Sequence, residues 1–249
     1  MNIVIIGASH AGMAAAAELR NLSASANITL LSAEGVLPYQ RPPLSKAYVS
    51  GDMTLEGLEL RPQSWFTDHC IDLRLSTRVE KIDRENRQLH TTGGTVAYTS
   101  LIIATGSSPR RLPESAGGSL ENVLVMRDLA DADALKPLLK PDAKLVVIGG
   151  GYVGLEAAAV AAKHGLQVTV VEAAEHILRR VACPQTATYI RNLHQAHGVT
   201  VLEGCSVAGI TGQGGKAASV ELGDGTSLPA DVVLVGIATA DDDQFCIRF

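Results

Sequence analysis

Cysteine is scarce in this 249-residue sequence, and the four present, Cys70, Cys183, Cys205 and Cys246, form no C-x-x-C pair. Their spacing argues against a zinc ribbon and a dithiol redox motif, and a reduced thiol set is the simpler reading. Long apolar runs are missing as well. The chain opens with Asn2 to Ile6, an apolar strand without a cationic leader or cleavage-site pattern, so the expectation is a cytoplasmic protein that does not enter a membrane. Neither sign of charge dominates. A formal charge of -5 spread along the sequence marks no nucleic-acid surface and no polybasic anchor. G-x-S-x-G is absent, which removes the hydrolase nucleophile elbow. What remains, 46% hydrophobic and 19% charged, suits a folded chain of one large or two medium domains.

The apolar patterns repeat. A strand over Asn2 to Ile6, a helix over Gly12 to Leu22 and a strand over Ile28 to Leu31 form a βαβ opening, followed by an irregular stretch around Pro38, Pro42 and Pro43. Short alternating runs at Asp72 to Leu75, Arg78 to Asp83, Arg87 to Thr91 and Thr95 to Tyr98 predict a small antiparallel insert, and Leu101 to Ala104 a further strand. After the loop Ser107 to Ser119 and a helix over Leu129 to Leu139, the order recurs. Strand Lys144 to Ile148, helix Gly154 to His164 and strand Gln167 to Val171 lead to a helix near Thr186 to His197, a second run of short strands and the apolar strand Val232 to Val235. The fold class expected is α/β, with two Rossmann-like βαβ dinucleotide-binding domains carrying small antiparallel β inserts.

Each βαβ unit carries a glycine turn. "GASHAG", Gly7 to Gly12, lies between strand and helix, where backbone N–H groups and the positive helix end hold a pyrophosphate. Ser9 replaces its middle glycine, adding a side chain and a hydroxyl donor beside His10 and Ala11. Ala14 to Ala17 keep the helix thin, and Glu34 after the next strand is a candidate acceptor for ribose hydroxyls. A solvated loop acid, with Ala33 in the ribose-facing register, is the other reading of Glu34. "GGGYVG", with Gly149, Gly151, Tyr152, Val153 and Gly154, is an intact G-x-G-x-x-G, and Glu172 closes the following strand "QVTVVE". An acid at that spacing binds a ribose 2′-hydroxyl and repels the 2′-phosphate of NADP, and no basic residue adjoins it in sequence, so NADH is the expected nucleotide. Two such turns imply two nucleotides, with hydride transfer between a nicotinamide and a flavin as the plain reason for both.

The segments "LPYQRPPLSKAY", Leu37 to Tyr48, "LIIATGSSPRRLP", Leu101 to Pro113, and "GGGYVGLEAAA", Gly149 to Ala159, resemble the FAD-dependent, NADH-using ferredoxin reductases of oxygenase electron-transfer chains. These belong to the pyridine nucleotide-disulfide oxidoreductase superfamily. The likeness runs from Met1 to about Val235, and Arg41 to Lys46 is its most specific block. The resemblance implies cofactors FAD and NADH and a ferredoxin or similar iron–sulfur electron acceptor as partner. It also implies Lys46 beside the flavin ring, Arg41 and Pro43 lining its pocket, Thr105 and Gly106 in a turn that returns the chain towards FAD, and Glu156 near the nicotinamide end of NADH. Read without the family, Lys46 is a loop lysine and Glu156 a complement to its helix dipole. Related disulfide reductases carry a redox cysteine after the second strand, and Ser32 to Ser50 contains none. Thiol chemistry has no thiolate there.

Other features are plainer. His194 and His197 read as solvent-facing rather than metal-binding, and no metal site is expected. Trp65 with Phe66 is either local core or flavin-adjacent. Arg110-Arg111 and Arg179-Arg180 are either solvated loop pairs or contacts to an acidic ferredoxin. The expected division is an FAD-binding domain over 1–111 and an NADH-binding domain over 112–230. Residues 231–249 are expected to form a strand returning towards the FAD domain and an irregular tail. In the resembled family further elements follow such a strand, so the sequence reads as C-terminally truncated, its FAD domain incomplete and its interface domain absent. Two functions follow: a flavoprotein passing hydride from NADH to FAD and single electrons onward, or an incompetent nucleotide-binding fragment that needs a partner chain.

Overall fold

The computed structural model describes residues 1–237 and 239–241, with side chains through Ile237; Cys246 and the rest of the expected tail lie outside the described residues. It divides into two compact units, one built from Met1–Gln40 and Leu55–Ser107, the other from Arg41–Thr54 and Ser108–Ala240.

The first unit runs β1 (Asn2–Ile6), α1 (His10–Leu22), β2 (Asn27–Leu31), α2 (Leu55–Leu58), α3 (Gln63–Asp68), β3 (Ile71–Arg74), β4 (Val79–Asp83), β5 (Gln88–Thr91), β6 (Gly94–Ala97) and β7 (Ser100–Ile103). Its parallel sheet has the order β3-β2-β1-β7, and β4-β5-β6 form a separate antiparallel ribbon. Alternation along β1 sends its side chains to two different cores. Ile3 and Ile5 pack with Met13, Ala16 and Phe66, whereas Val4 and Ile6 pack with Val79 and Leu89 of the ribbon. Phe66 is 1% exposed in the first of these clusters and Trp65 lies against it, so both belong to local core. Arg20, in the last turn of α1, donates to the carbonyls of His69 at 2.7 Å and Cys70 at 2.9 Å. A cation there also suits the negative end of the helix.

The second unit contains a five-residue π-type turn, Leu44–Tyr48, and then β8 (Ser107–Pro109), β9 (Val123–Leu124), α4 (Leu129–Leu135), β10 (Lys144–Ile148), α5 (Tyr152–Lys163), β11 (Gln167–Glu172), α6 (Pro184–Ala196), β12 (Thr200–Glu203), β13 (Val207–Gln213), β14 (Lys216–Leu222), β15 (Ser227–Pro229) and β16 (Val232–Val235). A short strand β17 (Thr239–Asp241) follows. The parallel sheet has the order β12-β11-β10-β16-β9, and β13-β14-β15 are antiparallel. The strand expected at Val232 to Val235 joins this sheet. Val232–Val235 pairs with β10, Leu145 opposite Val232 and Ile148 opposite Val235, and with β9 on its other side. All four of its residues are buried, which a strand covered on both faces requires. In both units the strand before the glycine turn has its sequence successor on one side and a late strand on the other. The strand order therefore reverses at β1 and at β10, the place where α/β sheets open a crevice for ligands.

The segment expected within the first domain, Arg41–Thr54, groups with the second unit. Its anchors are specific. The Tyr48 hydroxyl donates to Asp133 Oδ1 at 2.7 Å, the Lys136 ammonium lies 4.8 Å from the centre of the Tyr48 ring, and Arg41 Nη1 donates to the Arg127 carbonyl at 3.2 Å.

Beside α5 and α6 a cavity of about 410 Å³ is lined by Ala159, Ala162, Leu193, His194 and Val199. Burial, with the charge of His197 second, holds the His194 imidazole below its ordinary 6.5. Protonation therefore favours the unfolded chain. The stability that neutral His194 contributes is complete above 6.5 and is lost as pH falls through the lower folded value. The apparent unfolding midpoint, measured between about pH 7.5 and pH 5, should fall less steeply in His194→Gln than in the parent chain; identical slopes would remove His194 from the account. No helix among the described residues is long and apolar enough to cross a membrane.

Candidate nucleotide sites

The two glycine turns have one geometry. Gly7 takes φ +103° and Gly149 φ +108°, values that L side chains rarely adopt. A Cβ on Gly7 would stand 2.2 Å from the Ala104 carbonyl oxygen, and one on Gly149 would stand 2.6 Å from that of Gly236. So the chain segment after β7 presses on the first turn as the segment after β16 presses on the second. Thr105 and Gly106 follow directly in the first case, which puts the A-T-G stretch against the Gly7 turn. The last glycines serve packing: a Cβ on Gly12 would meet the Gly7 oxygen at 1.9 Å, and one on Gly154 the Gly149 oxygen at 2.3 Å. Each helix thereby sits hard against its strand.

The middle positions differ. At Gly151 the nearest atom to an added Cβ is the Gly236 oxygen at 4.0 Å. Protein packing does not demand glycine there; its absence of a side chain leaves a cradle open above the N-terminus of α5. In the first turn Ser9 occupies this place as the residue before α1, makes no capping bond with its side chain, and has no side-chain partner among the described residues, beside exposed His10 and Ala11. Both turns fit an anionic group held by backbone N–H groups, and the second has room for closer approach.

In the second unit a cavity of about 430 Å³ opens on this cradle, with Gly149, Gly150, Gly151, Tyr152 and Glu172 in its wall. Glu172 is tightly held: Oε2 accepts from the Gly150 N–H and Oε1 from the Ala174 N–H, both at 2.7 Å. The carboxylate thus joins the end of β11 to the glycine turn while each oxygen keeps lone-pair capacity for a hydroxyl. Tyr152, 59% exposed, lines the cavity, and Val153 beside it is 40% exposed. Arg179 and Arg180 line the same cavity, so basic residues are near Glu172 in space although not in sequence.

In the first unit Glu34 lies just after β2, where its carboxylate accepts from the Tyr39 hydroxyl and its N–H donates to Ser32 Oγ at 3.2 Å. Tyr39, 4% exposed, fixes an acid at the strand end that faced two readings in the sequence.

Lys46 and Glu156, separated by more than one hundred residues, meet in the second unit. Lys46 Nζ lies 2.9 Å from Glu156 Oε1, and the Ser45 hydroxyl donates to Glu156 Oε2 at 2.7 Å. With Lys46 half exposed, the ion pair contributes at most about 1 kcal/mol to stability. Its effect is positional, orienting an ammonium and a carboxylate together. Ser45, 5% exposed, was not singled out from sequence, although it adjoins Lys46 in the most specific block. Arg41 and Pro43 open the same segment, Pro43 accepting from the Lys46 and Tyr48 N–H groups at 3.0 Å. Free thiols are Cys70, Cys183 and Cys205 among the described residues, and no His, Cys, Asp or Glu cluster there suits a metal ion.

Known proteins share this fold. The chain is 40% identical over 236 residues to the 5,5'-dehydrodivanillate O-demethylase ferredoxin reductase subunit of Sphingobium sp. (strain NBRC 103272 / SYK-6), covering 94% of this chain and 57% of that one. It is 39% identical over 241 residues to putidaredoxin reductase of Pseudomonas putida, again covering 95% of this chain and 57% of the relative. The crystal structure of the covalent putidaredoxin reductase–putidaredoxin complex superposes with a TM-score of 0.93 at 38% identity, over 98% of this chain and 60% of that one. The chain therefore spans a little over half the length of the curated relatives it matches. The pyridine nucleotide-disulphide oxidoreductase profile matches residues 1–245. With the doubled strand–glycine–helix units and this match over nearly its whole length, the chain belongs to the pyridine nucleotide-disulphide oxidoreductase family.

Proposed function

We propose that the chain acts as a cytoplasmic NADH-dependent, FAD-containing reductase that delivers electrons to a ferredoxin or similar iron–sulfur protein. The observation carrying this reading is the repetition of one turn geometry at Gly7 and Gly149, each pressed by a returning segment, in a chain that belongs to a two-nucleotide family. When both nucleotides are bound, the nicotinamide supplies a hydride, and the flavin accepts it and releases electrons singly. The protein's part is binding and orientation. Gly7, Ser9, His10, Ala11 and Gly12 hold the FAD pyrophosphate and Glu34 the ribose, with Arg41, Pro43, Thr105 and Gly106 lining the pocket. Gly149, Gly151, Tyr152, Val153 and Gly154 hold NADH, and Glu172 accepts its ribose hydroxyls. Lys46 presents its cation to the flavin, and Glu156, fixed by Lys46 and Ser45, orients the nicotinamide end.

The test is anaerobic mixing of FAD-reconstituted chain with NADH. Loss of absorbance near 450 nm on the order of one flavin per chain, with reduction of an artificial one-electron acceptor, is the expected result. A chain that takes up no FAD, or bound FAD that NADH leaves oxidised, would remove the enzyme reading and leave a nucleotide-binding piece that needs a partner chain.

A further inference from the structure

A Cβ on Gly150 would stand 2.6 Å from Ile177 Cγ2, so the buried Ile177 side chain lies directly on the second glycine turn. The next residue, Leu178, takes φ +54° and donates its N–H to the Gly150 carbonyl at 2.9 Å. A left-handed backbone at a buried leucine persists only where its surroundings impose it. Gly150 is also the residue whose N–H holds Glu172. The acid and the Ile177–Leu178 segment therefore close on the same glycine.

That segment is anchored from a neighbouring strand. Glu203, the last residue of β12, accepts from the Ile177 N–H through Oε1 at 2.8 Å, and its Oε2 accepts from Arg191 Nη1 on α6, also at 2.8 Å. The Glu203 side chain is 13% and that of Arg191 33% exposed. A carboxylate engaged at both oxygens, one of them by a guanidinium, is held in a single place. In the sheet Glu203 pairs with Glu172, so two acids end adjacent strands with different tasks. Glu172 lines the nucleotide cavity and Glu203 does not.

We propose that Glu203, held by Arg191, is a positioning residue for NADH: through Ile177 it sets Gly150, and with it the glycine turn and the Glu172 carboxylate that receive the nucleotide. Glu203 itself touches no nucleotide. The inference rests on the reading that this cavity binds NADH. Removing the carboxylate leaves the Ile177 N–H without its acceptor and releases the left-handed turn, whose relaxation moves the Ile177 side chain off Gly150. The first glycine turn shares none of these residues, so FAD binding stays as it is.

Titration of the parent chain, Glu203→Ala, Glu203→Gln and Arg191→Met with NADH and with FAD tests this, alongside amide hydrogen exchange at Ile177 and Leu178 in the nucleotide-free chains. Glu203→Ala should bind NADH about tenfold more weakly with FAD affinity unchanged, exchange both amides faster, and keep the parent rate of flavin reduction at saturating NADH. Glu203→Gln keeps an oxygen for the Ile177 N–H and should recover most of the loss. Arg191→Met frees the carboxylate without removing it and should cost NADH about threefold; this variant decides the matter if Glu203→Ala does not fold. Unchanged NADH affinity, an equal loss for FAD, or a glutamine variant as weak as the alanine one overturns the positioning role and leaves the NADH reading standing. A parent chain that binds no NADH overturns both.

Discussion

Replacing Gly151 by valine should weaken NADH binding by about 3 kcal/mol, roughly a hundredfold, without unfolding the chain. The two halves of this expectation come from different atoms. Gly151 precedes α5 at φ -83° and ψ 179°, a conformation valine adopts freely, and an added Cβ finds no atom of the described residues beyond its chain neighbours nearer than 4.0 Å. The fold therefore has no reason to object. A bound pyrophosphate would occupy that same space, held by backbone N–H groups at the helix end, and a branched side chain would stand where it approaches. Fluorescence titration with NADH together with a urea melt separates the effects. Weak binding with an unmoved melt is expected; unchanged affinity would show that the cradle is not where the nucleotide sits. Gly151→Ser should lose less, because Ser9 occupies the matching place in the other turn.

The second large effect concerns the first unit. Phe66→Ala should cost about 3–5 kcal/mol of stability. Phe66 is 1% exposed among Ile3, Ile5, Met13, Leu30 and Ile71, and the β1, β2 and β3 residues of that set are held in place by the strand pairing that positions the Gly7 turn. They will not close over the void. Trp65→Ala should cost less, since Trp65 is only partly buried, in edge contact with Phe66 at 5.3 Å and stacked on His69 at 4.4 Å. Urea unfolding of both variants checks the order. A Phe66 variant as stable as the parent would mean that this cluster is not the core that holds the turn.

How much of this was legible in the sequence depends on range. The strand–glycine–helix units at Gly7 and Gly149 are local, since apolar period, turn residue and alanine-rich helix lie within about thirty residues, and the structure has them where the pattern put them. Long-range membership was not legible. Four apolar residues, Val232 to Val235, announce a strand covered on both faces, but nothing in them says which sheet they join; that is fixed by pairing with β10 and β9. The segment Arg41–Thr54 groups with the second unit through Tyr48, Asp133 and Arg127, partners more than eighty residues away. Ser45 gained significance only when Glu156 came within reach. The sequence leaves Arg179-Arg180 as a solvated pair or a contact to an acidic ferredoxin; that they line a cavity depends on a left-handed Leu178, which has no sequence signature.

Counting nucleotides tests the central claim most directly. Equilibrium dialysis of the chain with FAD and with NADH, singly and together, should give one of each per chain, with neither displacing the other and with Gly151→Val removing NADH alone. A single class of site for which FAD and NADH compete, or a Gly151→Val chain that loses both, would contradict the assignment of one dinucleotide to each glycine turn.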